Sequence, residues 1–346
     1  MNVRLKTAPR GKEPPRFLTV ILLTLLAVTI ITVPGQAQSV NKSDATGKIV
    51  IADGSSINSA PLYVALQNGY FRQEGLKVVC RLFPSGKAAL DAVRRGEGDL
   101  ATVADIPLMH AVLEGAPLKI VAVISEAFRE NALVARRDRG ILTEKDLAGK
   151  KIGVTPGTVS EFFLDEFLFF NRTPRKRVRM IYLSPDRIPE ALEKGEIDAA
   201  VTWNPLLSKM QERWGANLNV FYGKGRYRML WNIAGLKNRL AGDPAAVQKI
   251  LRALIRGVAF IREKPGEARK ITSGYLGLQE AQIGAVWGDR QFQVSLPSLL
   301  LMNLENQTRW AMRNKSTPKT GVPNILPNFY FEGLTAVDPE AVTIIH

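Results

Sequence analysis

The sequence predicts an α/β fold of two lobes with like topology and largely parallel strands. Three observations support this prediction. The 346 residues exceed what one hydrophobic core usually organises. From Lys48 onward, short apolar runs alternate with amphipathic stretches, a pattern typical of α/β proteins. Two stretches of the chain also repeat one order of strand, helix, glycine and strand, which indicates two similar units in tandem.

The repeat relates Ser85–Val103 to Ser184–Thr202 at a constant offset of 99 residues. Any two α/β units look alike in their order of strands and helices. Here, however, each helix is also followed by Gly-Glu-x-Asp, beginning at Gly96 and at Gly195. We expect these glycines to end helices with positive φ, because glycine adopts that conformation without a steric penalty. The repeat therefore favours two lobes of the same topology over a chance resemblance.

The elements follow in order from Lys48. The apolar runs predict early strands at Lys48–Ala52 and Lys77–Leu82, with a helix between them at Ala60–Gly69. After Met229–Ala234 the pattern changes, and apolar residues at helical spacing predict a long helix over Pro244–Glu263. More helix is expected to about residue 314, and residues 323–331 are expected to be irregular. We expect this helical C-terminal region to cover one lobe.

Composition favours binding over catalysis. The chain is 46% apolar and 23% charged, which excludes wholesale disorder and a polytopic membrane protein. The single cysteine, Cys80, excludes an intramolecular disulfide and a cysteine-based zinc site. The two histidines, His110 and the terminal His346, leave little for metal chemistry or a histidine-dependent triad. We therefore expect no catalytic residues, no metal and no cofactor.

The chain is basic, with a formal net charge of +15. The charges are scattered, and acidic residues are interleaved almost everywhere. The densest run, Arg175–Arg179, is interpreted as a solvated loop before a strand. A basic chain can bind nucleic acid, an anionic membrane or an anionic small molecule. No aromatic-interleaved basic stripe or recognition motif supports nucleic-acid binding.

The N-terminal segment is typical of a secretory signal peptide. Basic residues to Arg16 precede a 17-residue apolar run, Phe17–Val33, and the small-residue stretch Pro34–Ala37. Cleavage after Ala37 gives a signal peptide over residues 1–37 and a polar linker over residues 38–47. An uncleaved membrane anchor stays open, because the apolar run approaches the roughly 20 residues of a full span.

Ligands of open α/β sheets bind at the C-terminal ends of strands. Four loops qualify: Gly54–Asn58, Pro84–Lys87, Ala104–Ile106 and Thr155–Ser160. The last combines a strand end, small hydroxyl residues and a helix start, whose free N–H groups favour an anion. Simple capping of each helix is the alternative interpretation. The candidate ligand-binding residues are Ser56, Asn58, Ser85, Gly86, Asp105, Thr155, Gly157, Thr158, Trp203 and Asn204.

Two tryptophans fall near this predicted site. Trp203 follows a strand, beside Asn204, at the position that matches Asp105 in the first repeat. A tryptophan there suits the wall of a cleft for an organic ligand, and packing against a neighbouring helix is the alternative. Trp231 has the same two interpretations.

Several motifs together resemble the substrate-binding proteins of ABC importers with the type II fold. Within these, the chain resembles the nitrate, sulfonate and taurine subgroup, which shares its domain with binders of thiamine-pyrimidine precursors. The resemblance covers roughly residues 48–345. It is carried by Pro61–Phe71 with Glu74-Gly75-Leu76, Ser85-Gly86, Gly96–Asp99, Asp146–Val154, Gly157-Thr158 and Asp198–Pro205.

The resemblance implies a periplasmic-binding-protein-like fold in which the chain crosses twice between the lobes, near Asn131–Arg137 and Met229–Leu236. Lobe one then comprises residues 45–133 and 235–346, and lobe two residues 134–234. The implied function is a monomeric periplasmic receptor that closes on a small anionic solute of sulfonate, taurine or nitrate type. It delivers this solute to an ABC permease in the inner membrane.

Two rival functions stay open. One is a binder of a thiamine-pyrimidine precursor or another heteroaromatic solute. The other is an exported enzyme on the same fold. An enzyme needs an acid or base in the cleft, and Asp105 is the candidate. Its counterpart Asn204 cannot ionise, so no carboxylate pair is expected.

Overall fold

The computed structural model describes residues 47–223 and 227–346. The predicted signal peptide, residues 1–37, and the predicted linker up to residue 46 lie outside these ranges. Among the helices within them, none combines the length and the apolar character that crossing a membrane requires.

Eleven strands in the described ranges form two sheets. Sheet one has the order β11-β4-β10-β3-β1-β2, and sheet two has the order β7-β6-β8-β5-β9. The strands are β1 Lys48–Asp53, β2 Lys77–Leu82, β3 Leu100–Ala104, β4 Leu118–Ala127, β5 Asn131–Arg136, β6 Lys151–Val154, β7 Arg179–Tyr182, β8 Ala199–Trp203, β9 Leu218–Phe221, β10 Met229–Leu236 and β11 Arg290–Ser295.

Helices pack against both sheets, as expected for an α/β protein. Those described are α1 Ala60–Gln67, α2 Tyr70–Gln73, α3 Gly86–Arg94, α4 Asp105–Leu113, α5 Val159–Phe170, α6 Ile188–Lys194, α7 Leu206–Trp214, α8 Lys237–Gly242, α9 Pro244–Glu263, α10 Pro265–Leu276, α11 Glu280–Trp287, α12 Ser298–Arg313 and α13 Phe331–Thr335.

The two sheets share one topology, in agreement with the sequence repeat. Strands β2-β1-β3 of sheet one and β7-β6-β8 of sheet two have the same order and are parallel. Gly96 and Gly195 both have positive φ, 81° and 71°, as expected of residues that end helices. Asp99 and Asp198 play matched parts, because each carboxylate accepts a hydrogen bond from a backbone N–H of the neighbouring central strand, at 2.7 and 2.8 Å.

The expectation of largely parallel strands was too simple, because each sheet is mixed. Strand β10 pairs antiparallel with β3 and β4, and strand β5 pairs antiparallel with β8 and β9. Both follow segments in which the chain passes from one sheet to the other, so each enters its sheet against the direction of the parallel strands.

The crossings between the lobes lie earlier in the chain than expected. Strand β5 pairs along its length within sheet two, and strand β10 pairs along its length within sheet one. The chain therefore crosses between Ala127 and Asn131 and again between Phe221 and Met229, whereas the predicted boundaries at 133/134 and 234/235 cut through paired strands. The apolar residues of these strands looked alike from the sequence, so their sheet partners could not be told apart.

Each lobe has its own apolar core. One large cluster surrounds sheet one, and two smaller clusters lie on the two faces of sheet two. The predicted helix over Pro244–Glu263 is α9, and it packs against α1 on lobe one. The C-terminal region is helical to Arg313. It also contains β11, the edge strand of sheet one, which the periodicity did not indicate.

Candidate functional site

A small cavity lies between the two lobes, beside the crossing segments. Lobe one lines it with the starts of α3 and α4, and lobe two lines it with the start of α5 and the end of β8. Its volume is about 30 Å³, room for about two water molecules. An organic ligand therefore requires the lobes to part before they close around it.

The start of α3 presents hydrogen-bond donors to this cavity. Ser85 caps the helix, and its hydroxyl oxygen accepts a hydrogen bond from the Ala88 N–H at 3.2 Å. The first N–H groups of a helix, here those of Gly86 and Lys87, have no acceptor within the helix. Since the positive end of the helix dipole lies at the same place, this terminus attracts an anion.

The start of α5 faces the cavity from the opposite lobe. Thr158 caps it, accepting from the Ser160 N–H at 3.2 Å and donating its hydroxyl to the Thr155 carbonyl at 2.7 Å. Gly157 has a φ of 66°, which suits a residue without a side chain, and its N–H donates to the Glu161 carboxylate at 2.7 Å. Two helix starts, one from each lobe, thus converge on one space.

Lys87 connects these two helix starts across the cleft. A β carbon placed on Gly157 would lie 3.1 Å from the Lys87 Cε, so the lysine stem passes over the loop of the other lobe. The Lys87 ammonium group pairs with Asp91 at 2.7 Å and is partly exposed. Lys87 lines the cavity, and its pairing with Asp91 offsets part of the positive charge that it brings there.

Trp203 and Trp231 supply the aromatic walls, the first from lobe two and the second from lobe one. A β carbon on either Gly54 or Gly86 would lie 2.9 Å from the Trp231 Cη2, so the close approach of the indole depends on both glycines. Its Nε1–H donates to the Ser59 hydroxyl oxygen at 2.8 Å. The ring is therefore held both by packing and by a hydrogen bond.

A buried carboxylate holds Ser59 in place. The Ser59 hydroxyl donates to Asp53, which also accepts from Thr102 at 2.6 Å and from the Tyr63 hydroxyl at 2.5 Å. Burial raises the pKa of Asp53, and the hydrogen bonds that it accepts oppose this rise. Asp53, Ser59 and Trp231 thus form a chain from the core of lobe one to the cavity wall.

Glu130 and Asn131 at the first crossing also line the cavity, although neither is among the predicted site residues. Glu130 is buried and forms an ion pair with Arg290. Asn131 is also buried, and its Oδ1 has no hydrogen-bond partner among the described residues. Because crossing segments pass beside the cleft between lobes, the predicted crossing at Asn131–Arg137 already included Asn131, and a crossing placed a few residues earlier would have included Glu130.

Four of the ten predicted site residues line the cavity: Ser85, Gly86, Thr158 and Trp203. Gly157 lies beside them under Lys87. Ser56 and Asn58 lie in the interior of lobe one, where the Asn58 Nδ2 donates to the Ser56 hydroxyl at 2.9 Å and the Ser125 hydroxyl donates to the Asn58 Oδ1 at 3.0 Å. These two side chains support the loop behind the wall.

The remaining predicted residues are also buried. Asp105 accepts hydrogen bonds from the Tyr227 hydroxyl and from Asn303 Nδ2, the latter at 3.1 Å, and burial raises its pKa. Asn204 accepts from the Ser208 hydroxyl at 2.7 Å. The Thr155 hydroxyl lies beside the start of α5 and has no hydrogen-bond partner in the described chain. Contact of these three residues with a ligand stays a prediction.

The Cys80 thiol and the His110 imidazole lie away from the cavity lining. Cys80 is on β2, and burial, with the nearby charge of Asp53, raises the pKa of its thiol. His110 is on α4, where its ring packs edge-on against Trp310 at 6.2 Å, and burial lowers its pKa. Within residues 47–223 and 227–346, no group of three or more His, Cys, Asp or Glu residues is placed to hold a metal ion.

Two α/β lobes that are joined by two crossings and enclose a cleft define the class of periplasmic binding proteins, and solved structures share this fold. The alkanesulfonate-binding protein from Xanthomonas axonopodis pv. citri, bound to MOPS, superposes with a TM-score of 0.73. It is 20% identical, and the match covers 82% of this chain and 98% of that one. The desulfurization enzyme DSZB also superposes, with a TM-score of 0.63 and 14% identity over 85% of this chain and 99% of the enzyme.

The chain belongs to the NMT1/THI5-like family, whose model matches residues 56–268. A relative from Bacillus subtilis (strain 168), named for aliphatic sulfonates binding, is 27% identical over 165 residues, which span 46% of this chain and half of the relative. The taurine-binding periplasmic protein of Escherichia coli (strain K12) is 26% identical over 189 residues, 55% of this chain and 56% of the relative.

Proposed function

We propose that the chain is the solute-binding receptor of an ABC importer and captures a small anion of sulfonate type between its lobes. The observation that carries this proposal is the convergence of two helix starts, from α3 and α5, on one cavity walled by Trp203 and Trp231. Backbone N–H groups at helix starts bind oxyanions without any charged partner. The indoles suit the apolar part of an organic sulfonate.

Capture proceeds by closure of the lobes about the two crossing segments. The anion first binds at the helix start of one lobe. Closure then brings to it the backbone N–H groups at the helix start of the other lobe and the Lys87 ammonium group. The lobes are already in contact beside the cavity, because Val159 and Phe162 of α5 pack into the core of lobe one. The bound ligand then adds contacts with both lobes inside the cavity.

The setting we propose is the periplasm. The N-terminal signal predicted from the sequence and the name of the Escherichia coli relative both support export. Delivery to a permease follows from the importer function that the sequence resemblance implies. The predicted monomer is compatible with this role, since one chain supplies both walls of the cavity.

We propose a binding protein and not an enzyme, although DSZB shares the fold. The thiol of Cys80 and the imidazole of His110 lie outside the cavity lining, and the carboxylate of Glu130 is neutralised by Arg290. General acid or base chemistry needs a group within hydrogen-bond reach of the substrate. The cavity instead offers hydrogen-bond donors and aromatic surface, which serve recognition.

Thermal unfolding with a panel of ligands tests the proposal. Ethanesulfonate, taurine and nitrate are compared with the neutral analogue ethanesulfonamide and with an aminopyrimidine. A ligand at a hundred times its Kd stabilises the folded state by about 2.7 kcal/mol, so we expect a concentration-dependent rise in Tm with an anion. An equal rise with the neutral analogue, or a rise with the aminopyrimidine alone, would contradict anion capture and favour the heteroaromatic ligand.

A further inference from the structure

An exposed aromatic pair ends helix α5, at the opposite end from the cavity. The side chains of Phe169 and Phe170 leave these residues 77% and 47% exposed, and their rings pack edge to face at 5.6 Å. Large apolar side chains that protrude together into water mark interaction sites more often than isolated ones do. Neither ring lines the cavity at the starts of α3 and α5, although Phe170 also lines a second small cavity beside the crossing segments.

A groove of about 710 Å³ runs beside this pair, between α5 and α12. Apolar and cationic side chains share its lining, since Phe169, Phe170 and Trp310 lie beside Arg309 and Arg313. The arginines belong to α12 of lobe one, and the phenylalanines to α5 of lobe two. The groove is thus an amphipathic surface to which both lobes contribute.

Basic side chains outnumber acidic ones around the groove. Arg175 pairs with Asp165, and Arg309 pairs with Glu305 at 3.2 Å, so two of the arginines are partly neutralised. Glu166 also lines the groove. Arg175, Arg309 and Arg313 line the groove against Asp165 and Glu166. With the residues within two positions of the lining in the sequence, the count is seven basic residues, which add Arg172, Lys176, Arg177 and Lys315, against four carboxylates, which add Glu161 and Glu305. The basic run that the sequence displays at Arg175–Arg179 therefore begins at this surface.

We propose that the aromatic pair, the groove and its basic surroundings, hereafter the α5 patch, dock the protein on a bilayer of anionic phospholipid. Phenylalanine rings at a helix end can enter the boundary between headgroups and acyl chains. Lysine and arginine side chains around them attract anionic headgroups electrostatically. The groove has room for a headgroup beside Trp310, between the arginines of α12 and the rings of α5.

A bilayer explains the patch better than an acidic protein does. The Phe169 and Phe170 rings line the groove and are also exposed to solvent, and a fluid lipid surface accepts protruding rings without a complementary shape. The basic side chains are long and exposed, so they reach scattered charges of one sign. Docking on an acidic protein is the competing outcome of the test below.

Vesicle co-sedimentation tests the proposal. The protein is the chain beginning at Gln38, because the apolar run Phe17–Val33 would bind lipid by itself. This chain retains residues 42–346, which form one compact unit. We expect binding to vesicles of phosphatidylglycerol and phosphatidylcholine at 3:7, and about a hundredfold weaker binding to phosphatidylcholine alone. The double variant Phe169→Ser/Phe170→Ser should bind the anionic vesicles at least tenfold less, since each ring loses its apolar burial.

A charge-reversal variant provides the second part of the vesicle-binding test. Lys176→Glu/Arg177→Glu should reduce binding to anionic vesicles by at least about twentyfold, because each basic residue near such a surface contributes roughly a fivefold gain. The matched controls are Leu142→Ser, an exposed apolar residue elsewhere on lobe two, and Lys145→Glu/Arg213→Glu, both exposed basic positions. These controls should bind the vesicles like the wild type.

Three results would overturn the proposal. The first is a wild-type protein that does not sediment with anionic vesicles at low salt. The second is equal binding by the wild type and the phenylalanine double variant. The third is capture by an acidic protein surface, such as polyglutamate beads, with no binding to vesicles. Circular dichroism melts of each variant verify folding, and unchanged sulfonate binding shows that the cavity is intact, so failure here leaves the proposed function standing.

Discussion

At the scale of single residues, Gly157 of lobe two lies against Lys87 of lobe one beside the cavity. Its backbone is left-handed, with φ at 66°, and the Lys87 stem lies against it. Most side chains are strained in this conformation, but Asp and Asn tolerate it better than others. A pair of variants can therefore separate the effect of charge from the effects of strain and bulk.

We predict that Gly157→Asp binds a sulfonate far more weakly than Gly157→Asn. The two side chains have nearly the same shape, so they share the strain and the contact with Lys87. Only the aspartate adds a negative charge, and like charges 4 Å apart near a protein surface repel by about 4 kcal/mol before screening. Calorimetric titration should show a difference approaching a thousandfold. Equal sulfonate affinities of the two folded variants would show that the anion does not bind at the start of α5.

The second residue-scale prediction concerns Ser59, which holds the Trp231 indole by a hydrogen bond at 2.8 Å. Ser59→Ala leaves a buried Nε1–H without a partner and costs about 1–3 kcal/mol of the free energy of unfolding. Urea denaturation of Ser59→Ala, Trp231→Phe and the double variant measures the coupling. We expect a coupling energy above about 1 kcal/mol. Additive effects would mean that the hydrogen bond does not hold the ring.

At the scale of elements, α5 does more than any other helix. Its start lines the cavity, its middle packs into the core of lobe one through Phe162, and its end carries the α5 patch. An interlobe hydrogen bond from the Trp310 Nε1–H to the Asp165 carboxylate, at 2.8 Å, ties its centre to α12. A change in α5 therefore affects both lobes together.

Helix α5 also carries a titrating group, Glu166. Burial, with a smaller contribution from the charge of Asp105, raises the pKa of Glu166 from 4.5 to about 7. The folded protein therefore binds this proton more tightly than the unfolded chain does, so stability falls as the pH rises from about 4.5 to about 7. The full difference corresponds to about 3 kcal/mol at most.

Glu166→Gln removes this dependence. We predict that the variant is more stable than the wild type at pH 8 and equally stable near pH 4.5, by urea denaturation at both pH values. Glu263→Gln, at an exposed position on α9, is the control and should give the same difference at both pH values. A wild-type protein that gained stability relative to Glu166→Gln with rising pH would reverse the sign and contradict the burial of this carboxyl group.

The helices and strands could largely be predicted from the sequence, because apolar spacing reports directly which face of an element is buried. The range of α9 and the matched strand order of the two sheets follow from that signal. The signal says nothing about sheet partners, so the antiparallel strands β5 and β10 and the edge strand β11 were misplaced or missed. Capping residues such as Ser85 and Thr158 could be found, since helix starts have their own side-chain preferences.

The rest of the candidate site was less accessible to sequence reasoning. Asp105 follows a strand just as Trp203 ends one, yet its carboxylate is held by Tyr227 and Asn303, which are far away in the chain. Side-chain direction at a strand end depends on such distant partners. Glu130 and Asn131 reach the cavity only because of the position at which the chain crosses between sheets. The local sequence pattern thus indicates which loops form the candidate site, but it does not indicate which side chains of those loops face the ligand.

At the scale of the whole molecule, the fold places two like lobes around a cavity of about 30 Å³, which has room for about two water molecules. In the proposed function, opening about the two crossings, between Ala127 and Asn131 and between Phe221 and Met229, exposes the helix starts of both lobes to solvent. Closure on the proposed anion then restores the interlobe contacts and adds hydrogen bonds to the ligand. The free energy of binding stabilises the closed form, which is the form we propose the permease recognises.

The central claim is that an anion binds between the starts of α3 and α5. The most direct measurement is the crystal structure of the protein with 2-bromoethanesulfonate, located by the anomalous scattering of bromine. We predict one strong peak between Trp203 and Trp231, with the sulfonate oxygens within hydrogen-bond distance of backbone N–H groups at Gly86 and Val159. A fully occupied ligand elsewhere, or a sulfonate turned away from both helix starts, would contradict the account.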